Sequence, residues 1–175
     1  MQLGRISPSY RVCGTTQFSN ERKIRVYSAV VVTRLLYSLS SAWLNVAELR
    51  RLNGFHCRCL RRVLRIKPSF ISRVSNSRVL QAADQIELGR QLLQQQLVLY
   101  GKVLRAPVTD PLRDLTFIPG TDMPAANMFV RRVGRPRNEW AEMLRRECHK
   151  MGEDSYRTVY TDSEWREAVH RYCNR

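Results

Sequence analysis

The chain has 175 residues, of which 43% are hydrophobic, so it can bury a core and is too apolar for wholesale disorder. Its formal net charge is +15, and 26 of its 30 basic residues are arginine. Such basicity points to polyanionic partners such as DNA or RNA. The five cysteines are an odd and widely spread set, which favours reduced thiols in an intracellular protein over a disulfide framework.

The compartments that fit these features are the nucleus and the cytoplasm. Arg5 and Arg11 precede the first carboxylate, Glu21, in a pattern that resembles a mitochondrial presequence, so the mitochondrion is the alternative. The stretch 26–44 is apolar, but Arg34 lies at its centre, where a charge is costly in a bilayer. We therefore expect a buried amphipathic helix there and no membrane partner.

Capping residues and apolar spacing predict an all-α fold. Asn45 and Glu48 form a capping box at the start of the second helix, which Pro68 is expected to end. Thr161 and Glu164 form another capping box before the last helix. The predicted helices are, in chain order, 19–39, 45–66, 75–83, 86–105, 111–115, 138–151 and 162–172. No alternating pattern typical of strands persists beyond four residues.

The prolines suggest how the chain is divided. Five of the seven prolines fall between residues 107 and 136, which predicts a linker. The expected parts are an N-terminal tail over 1–18, a helical bundle over 19–106, a proline-rich linker over 107–137 and a small C-terminal helical hairpin over 138–175.

The second predicted helix lies in a stretch that has no carboxylate. Between Glu48 and Asp84 the chain has eight arginines and one lysine. At about 100° per residue, four of the arginines fall within about 60° of one another, and the apolar residues occupy a separate arc. Guanidinium groups so arranged repel one another unless an anion neutralises them, and a nucleic-acid backbone is such an anion. The predicted phosphate-facing set is Arg51, Arg58, Arg61, Arg62 and Arg65, with Arg50 and Lys67 at its edge.

No convergent set of catalytic residues is recognisable in the sequence. The six aspartates are isolated, and neither a G-x-S-x-G motif nor a glycine-rich phosphate loop is present. We therefore predict no catalytic residue, no cofactor and no metal ligand. Cys57 and Cys59 stand two apart on a predicted helix, which points their side chains away from each other. A structural zinc site, as against ordinary buried thiols, remains open for Cys148, His149, His170 and Cys173.

Three blocks of sequence share a common resemblance. The first runs from Lys23 through Tyr27 and Leu35-Leu36-Tyr37 to Trp43 and is similar to K-x-x-x-Y…L-L-Y-G-x-x-x-W, with Ser38 in place of glycine and one extra residue before the tryptophan. The second runs from Leu52 to Leu64 and is similar to L-x-x-F-x-R-R-C-L-R-R-I-L. The third joins 97–105, similar to L-R-W-L-G-H-V-L-R, to Gly134-Arg135-Pro136-Arg137 and Trp140, similar to G-R-P-R-x-x-W.

In this order, the blocks resemble the segment that follows the catalytic palm in reverse transcriptases of LINE-type non-LTR retrotransposons. Lys102 stands where that family commonly has histidine. Gly134-Arg135-Pro136 also resembles the core of an AT-hook, but a helix-entry turn with basic flanks is the preferred interpretation.

The resemblance implies a thumb-like helical bundle that grips a template–primer duplex of RNA or DNA. The family's aromatic-Ala-Asp-Asp turn has no counterpart in this sequence, so the resemblance implies a fragment of an RNA-directed DNA polymerase that does not polymerise by itself. The expected function is sequence-nonspecific nucleic-acid binding. The alternative is a non-catalytic helical interaction domain whose arginines bind an acidic protein partner.

Overall fold

The computed structural model describes residues 18–125, 139–152 and 161–174. Within these ranges the protein is all-α, as predicted, and the only β-type pairing is an isolated bridge between Phe117 and Pro124. The helices are α1 (Asn20–Tyr27), a π-helical turn (Ser28–Val32), α2 (Thr33–Tyr37), α3 (Val46–Val63), α4 (Ser69–Ser72), α5 (Asn76–Ala83), α6 (Leu88–Arg105), α7 (Pro111–Thr116), α8 (Trp140–Lys150) and α9 (Asp162–Cys173).

Side-chain caps begin several helices where the sequence predicts them. Asn45 and Glu48 form the reciprocal hydrogen bonds of a capping box before α3. Thr161 and Glu164 form the same motif before α9, and the side chain of Ser75 caps α5. Each cap provides an acceptor for a backbone N–H that has no partner within the helix.

The C-terminal end of α3 differs from the prediction. The helix ends at Val63, because Arg65 adopts a left-handed backbone conformation with a φ of 58°. The backbone N–H of Ile66 donates to the carbonyl oxygen of Arg61 at 2.8 Å, which closes the helix as a Schellman motif. The prediction that Pro68 ends this helix was therefore wrong, and Pro68 instead precedes α4.

Helix α6 takes part in two hydrophobic clusters. Its residues Leu88 and Leu92 are buried in a first cluster with residues of α1, α3 and α5. Its residues Leu97 and Leu104 are buried in a second cluster with residues of α8 and α9. Phe117, which follows α7, is buried in the second cluster as well. The predicted bundle and the predicted C-terminal helices are therefore in contact through α6.

A close contact between α6 and α9 lies at Gly101 and Trp165. The indole N–H of Trp165 donates to the carbonyl oxygen of Leu97 at 3.0 Å. A Cβ atom placed on Gly101 would lie 2.1 Å from that indole nitrogen. Arg105 lies over the same ring, 5.9 Å from its centroid, and pairs with Asp162 at 2.9 Å. The packing of α9 on α6 therefore requires glycine at position 101.

A buried polar contact joins α1 to α3 in the first cluster. The hydroxyl oxygen of Tyr27 lies 2.9 Å from Nδ1 of His56, and the two rings stack with their centroids 5.7 Å apart. His56 is fully buried, and this burial lowers the pKa of its imidazole from the usual 6.5. Burial also raises the pKa of the Tyr27 hydroxyl. The folded protein therefore holds both groups in their neutral forms near neutral pH.

Replacing Gly101 with alanine should lower the free energy of unfolding by about 1–3 kcal/mol, because the new methyl group overlaps the indole of Trp165. Gly54→Ala in α3 is the matched control. Nothing lies within 4 Å of a Cβ atom at Gly54, so we expect a gain of about 0.5–1 kcal/mol from the better helix former. Urea denaturation of both variants measures the difference. If the two substitutions changed the free energy of unfolding by the same amount in the same direction, the close contact at Gly101 would be contradicted.

Acidification should destabilise the protein through His56. The unfolded chain takes up a proton near the usual pKa of 6.5, whereas the folded protein keeps the imidazole neutral to a lower pH. The stability that this histidine contributes is therefore present above about pH 6.5 and is lost as the pH falls below it. In His56→Gln, the fall in unfolding free energy between about pH 7 and about pH 5 should be smaller. Denaturant titrations at several pH values test this, and an unchanged slope would contradict it.

Candidate nucleic-acid interface

One side of α3 is fixed in the first hydrophobic cluster. Leu52 and Leu60 are buried, and Leu49, Cys59 and Val63 pack against the same cluster. Together with Ile66, which packs against the same cluster, these are the residues that helical spacing assigns to the apolar arc. This anchoring leaves the remaining surface of the helix to its polar and charged residues.

The solvent side of α3 carries a row of three exposed arginines, Arg51, Arg58 and Arg62, which we call the arginine face. At about 100° per residue, the three side chains leave the helix within about 40° of one another. Arg58 and Arg62 are one turn apart, which corresponds to about 6 Å along the helix axis. Arg50 is exposed on the flank of this row.

Within the described residues, none of the arginines of the arginine face pairs with a carboxylate. Some exposed arginines on other helices do pair with a carboxylate. Three pairs within single helices show the contrast: Arg25–Glu21, Arg146–Glu142 and Arg166–Asp162, with N–O distances of 2.6, 3.0 and 2.8 Å. The hydrogen bonds from Arg166 and Arg105 also lower the pKa of the Asp162 carboxyl.

Four carboxylates, on α3, just before α6 and on α8, have partners other than the arginine face. Glu48 is held by the backbone N–H of Asn45 in the capping box. Glu87 accepts a hydrogen bond from the Asn53 amide at 3.1 Å. On α8, Glu142 and Glu147 pair with cations of that same helix. The positive potential of the arginine face is therefore open to an external anion.

Arg61 was predicted to belong to the phosphate-facing set, but the structure places it in the interior. Its residue surface is only 6% exposed. Its guanidinium donates to the carbonyl oxygen of Val74 at 2.7 Å, to the Asn76 side chain at 3.0 Å and to the carbonyl oxygen of Lys67 at 3.5 Å. Arg61 lies at the edge of the exposed arc, where the following connection covers it. Its charge is thus used to fix the chain between α3 and α5.

The cationic surface continues beyond the end of α3. Arg65 and Lys67 are exposed, and Arg65 lies past the last helical turn. Arg73 and Arg78 are exposed too, and they flank the segment that Arg61 binds. Arg73 and Arg78 were not predicted as part of the site, although they belong to the same stretch without carboxylates. The absence of carboxylates from that stretch is the sequence signal that would have identified them.

The cysteines of the described residues are buried or partly buried thiols, and none forms a disulfide. Burial raises the pKa of Cys57 and raises that of Cys173 to about 11. Thiols with such pKa values stay protonated near neutral pH and pack as small apolar groups. In the part of the chain that the structure describes, no group of three or more histidine, cysteine or acidic residues is arranged to hold a metal ion.

Comparisons with protein-family models, with curated proteins and with solved structures gave no match. Among the described residues, no helix combines the length and the apolar character that a membrane crossing requires. The predicted turn at Gly134-Arg135-Pro136 lies outside the described residues. The candidate interface in the described part of the chain consists of the surface of α3 and of the connection after it.

Replacing Arg61 with alanine should lower the free energy of unfolding by about 2–4 kcal/mol, because the carbonyl groups that it binds would lose their buried donor. Arg62→Ala is the matched control. It removes the same charge from the next position, which is exposed, so we expect a change within about 0.5 kcal/mol. Denaturant unfolding measures both values. Similar effects of the two substitutions would show that Arg61 does not anchor the connection.

Proposed function

We propose that this chain binds nucleic acid by holding backbone phosphates on its arginine face, without reading the base sequence. One observation carries the proposal. Helix α3 buries an apolar side and presents to solvent Arg51, Arg58 and Arg62, which have no acidic partner among the described residues. A surface of this kind is stable next to a polyanion and repels itself without one.

The spacing of the charges favours a polymer over a single small anion. Arg51 and Arg62 are about 16 Å apart along the helix axis, so a small anion at one of them leaves the other without a counter-charge. A phosphate backbone neutralises the whole row and releases its condensed counterions on binding. Guanidinium suits this task because it stays charged and its planar donors match phosphate oxygens.

We further propose that the chain corresponds to the segment after the palm of a LINE-type reverse transcriptase and does not polymerise by itself. The order of the three sequence blocks supports this origin. Within the second block, Leu52 and Leu60 are buried while Arg58 and Arg62 are exposed, which is the amphipathic arrangement that a thumb helix needs. A template–primer duplex is the ligand that this origin implies.

The variant that tests nucleic-acid binding carries Arg51→Gln, Arg58→Gln and Arg62→Gln. These positions lie off the buried side of α3, so the fold should be retained. Affinity for duplexes of unrelated sequence should fall to a similar extent, and the slope of log K against log salt should flatten by about 0.9 for each phosphate that is no longer bound. Fluorescence anisotropy at several salt concentrations measures both quantities, and circular dichroism checks the fold.

The matched control carries Arg25→Gln, Arg146→Gln and Arg166→Gln. It loses the same amount of positive charge from exposed positions, but each of these arginines already pairs with a carboxylate. We expect its affinity to stay much closer to that of the parent. Equal losses in the two variants would mean that overall charge, and not the arginine face, drives binding. If the parent prefers polyglutamate to a duplex, the ligand is an acidic protein.

A further inference from the structure

The short helix α4 presents large apolar side chains to solvent. Phe70 is 77% exposed and Ile71 is 55% exposed, and neither belongs to either of the two hydrophobic clusters. An aromatic ring left in water gives up the stabilisation that burial of its surface would provide. Two such side chains, adjacent in the chain, form an apolar tip that we define as Phe70 and Ile71.

The backbone around this tip is tied down on both sides. The backbone N–H groups of Ile71 and Ser72 each donate to the carbonyl oxygen of Pro68 at 2.9 Å. The buried guanidinium of Arg61 binds the carbonyl oxygens of Lys67 and Val74, one on each side of α4. The ring of Phe70 is thus carried on a fixed support, which reduces the ordering cost when a ligand binds it.

The tip lies between cations. Lys67 and Arg73 are exposed on its two sides, and the stretch between Glu48 and Asp84 contains no carboxylate. A ligand that fits this surface must therefore combine negative charge with a flat apolar face. Nucleic-acid strands combine the two, since each nucleotide carries a phosphate and a base, and the face of any base stacks on aromatic rings.

We propose that Phe70 stacks on an unpaired base of the nucleic acid whose phosphates are held by the arginine face, with Ile71 beside it. This proposal rests on the function proposed above and adds a preference for duplexes that end in a single strand. An unpaired base is the favoured ligand because its face is open without the cost of unstacking a base pair. A membrane is the less suitable ligand, because two apolar residues on one helical turn bury little area among lipids.

The test compares a blunt duplex with the same duplex that carries a short single-stranded overhang. Phe70→Ala should weaken binding to the overhang duplex by about five-fold to a hundred-fold, as expected when one base no longer stacks. Binding to the blunt duplex should change by less than about twofold, and the salt slope should stay the same. Phe70→Trp should restore the preference, because its larger ring also stacks. Since Phe70 is exposed, the fold should survive each substitution, and circular dichroism checks this.

A fluorescent base analogue in the overhang gives a second readout that does not depend on affinity. Its emission should change on binding to the parent and to Phe70→Trp, and much less on binding to Phe70→Ala. Equal affinity of the parent and Phe70→Ala for the overhang duplex would overturn the stacking proposal while leaving the arginine face intact. A loss of binding to phosphatidylserine vesicles in Phe70→Ala, with overhang binding unchanged, would overturn it in favour of a membrane contact. Failure of the parent to bind either duplex would overturn the proposed function itself.

Discussion

Helix α6 buries Leu88 and Leu92 in one hydrophobic cluster and Leu97 and Leu104 in the other. Helix α3 packs on the first part of α6, and α8 and α9 pack on the second part, so the two clusters have α6 in common. At the contact with Trp165, α9 lies so close to α6 that the backbone of α6 at Gly101 forms part of the packing surface. The orientation of α3, and with it the direction in which its arginines point, depends on its packing against this shared helix and against α1 and α5.

The arginines of the acid-free stretch have two different physical roles. Arg61 is buried and donates to carbonyl oxygens and an amide, so among the described residues dipoles, and not a carboxylate, balance its charge. Arg58 and Arg62 are exposed and have no carboxylate partner among the described residues. The two roles are connected, because the connection that Arg61 holds also carries Lys67 and the exposed ring of Phe70. A structural arginine thereby supports the surface that we propose binds nucleic acid.

Local signals in the sequence were enough to predict much of the fold. Capping residues act within a few positions of themselves, so the starts of α3 and α9 were predicted correctly from Asn45 and Thr161. The end of α3 was missed because it depends on a left-handed conformation at Arg65, where glycine is the usual signal. Helix α4 was missed because four residues are too few to show a helical period.

Tertiary contacts account for what the sequence left out of the candidate site. A helical projection shows that Arg61 lies at the edge of the exposed arc, but it cannot show that the chain after α3 folds over that edge. The packing of α8 and α9 on α6 was likewise missed, because glycine at position 101 is no signal until its partner Trp165 is known. Phe70 is exposed because no described residue packs over it, and a local sequence pattern does not predict this.

The π-helical turn Ser28–Val32 has a consequence for chain length. In this turn the backbone N–H of Thr33 donates to the carbonyl oxygen of Ser28, five residues earlier, so the turn holds one residue more than an α-helical turn. Tyr27, just before the turn, and Val32, its last residue, are both buried. Deleting one residue here would give an α-helical turn and leave the faces of α1 and α2 in about the same relation. Winding the same number of residues as a regular α-helix would instead rotate α1 by about 100° relative to α2, which would carry Tyr27 away from His56. The register of the whole segment therefore depends on how this one turn is wound, whichever side chains its residues bear.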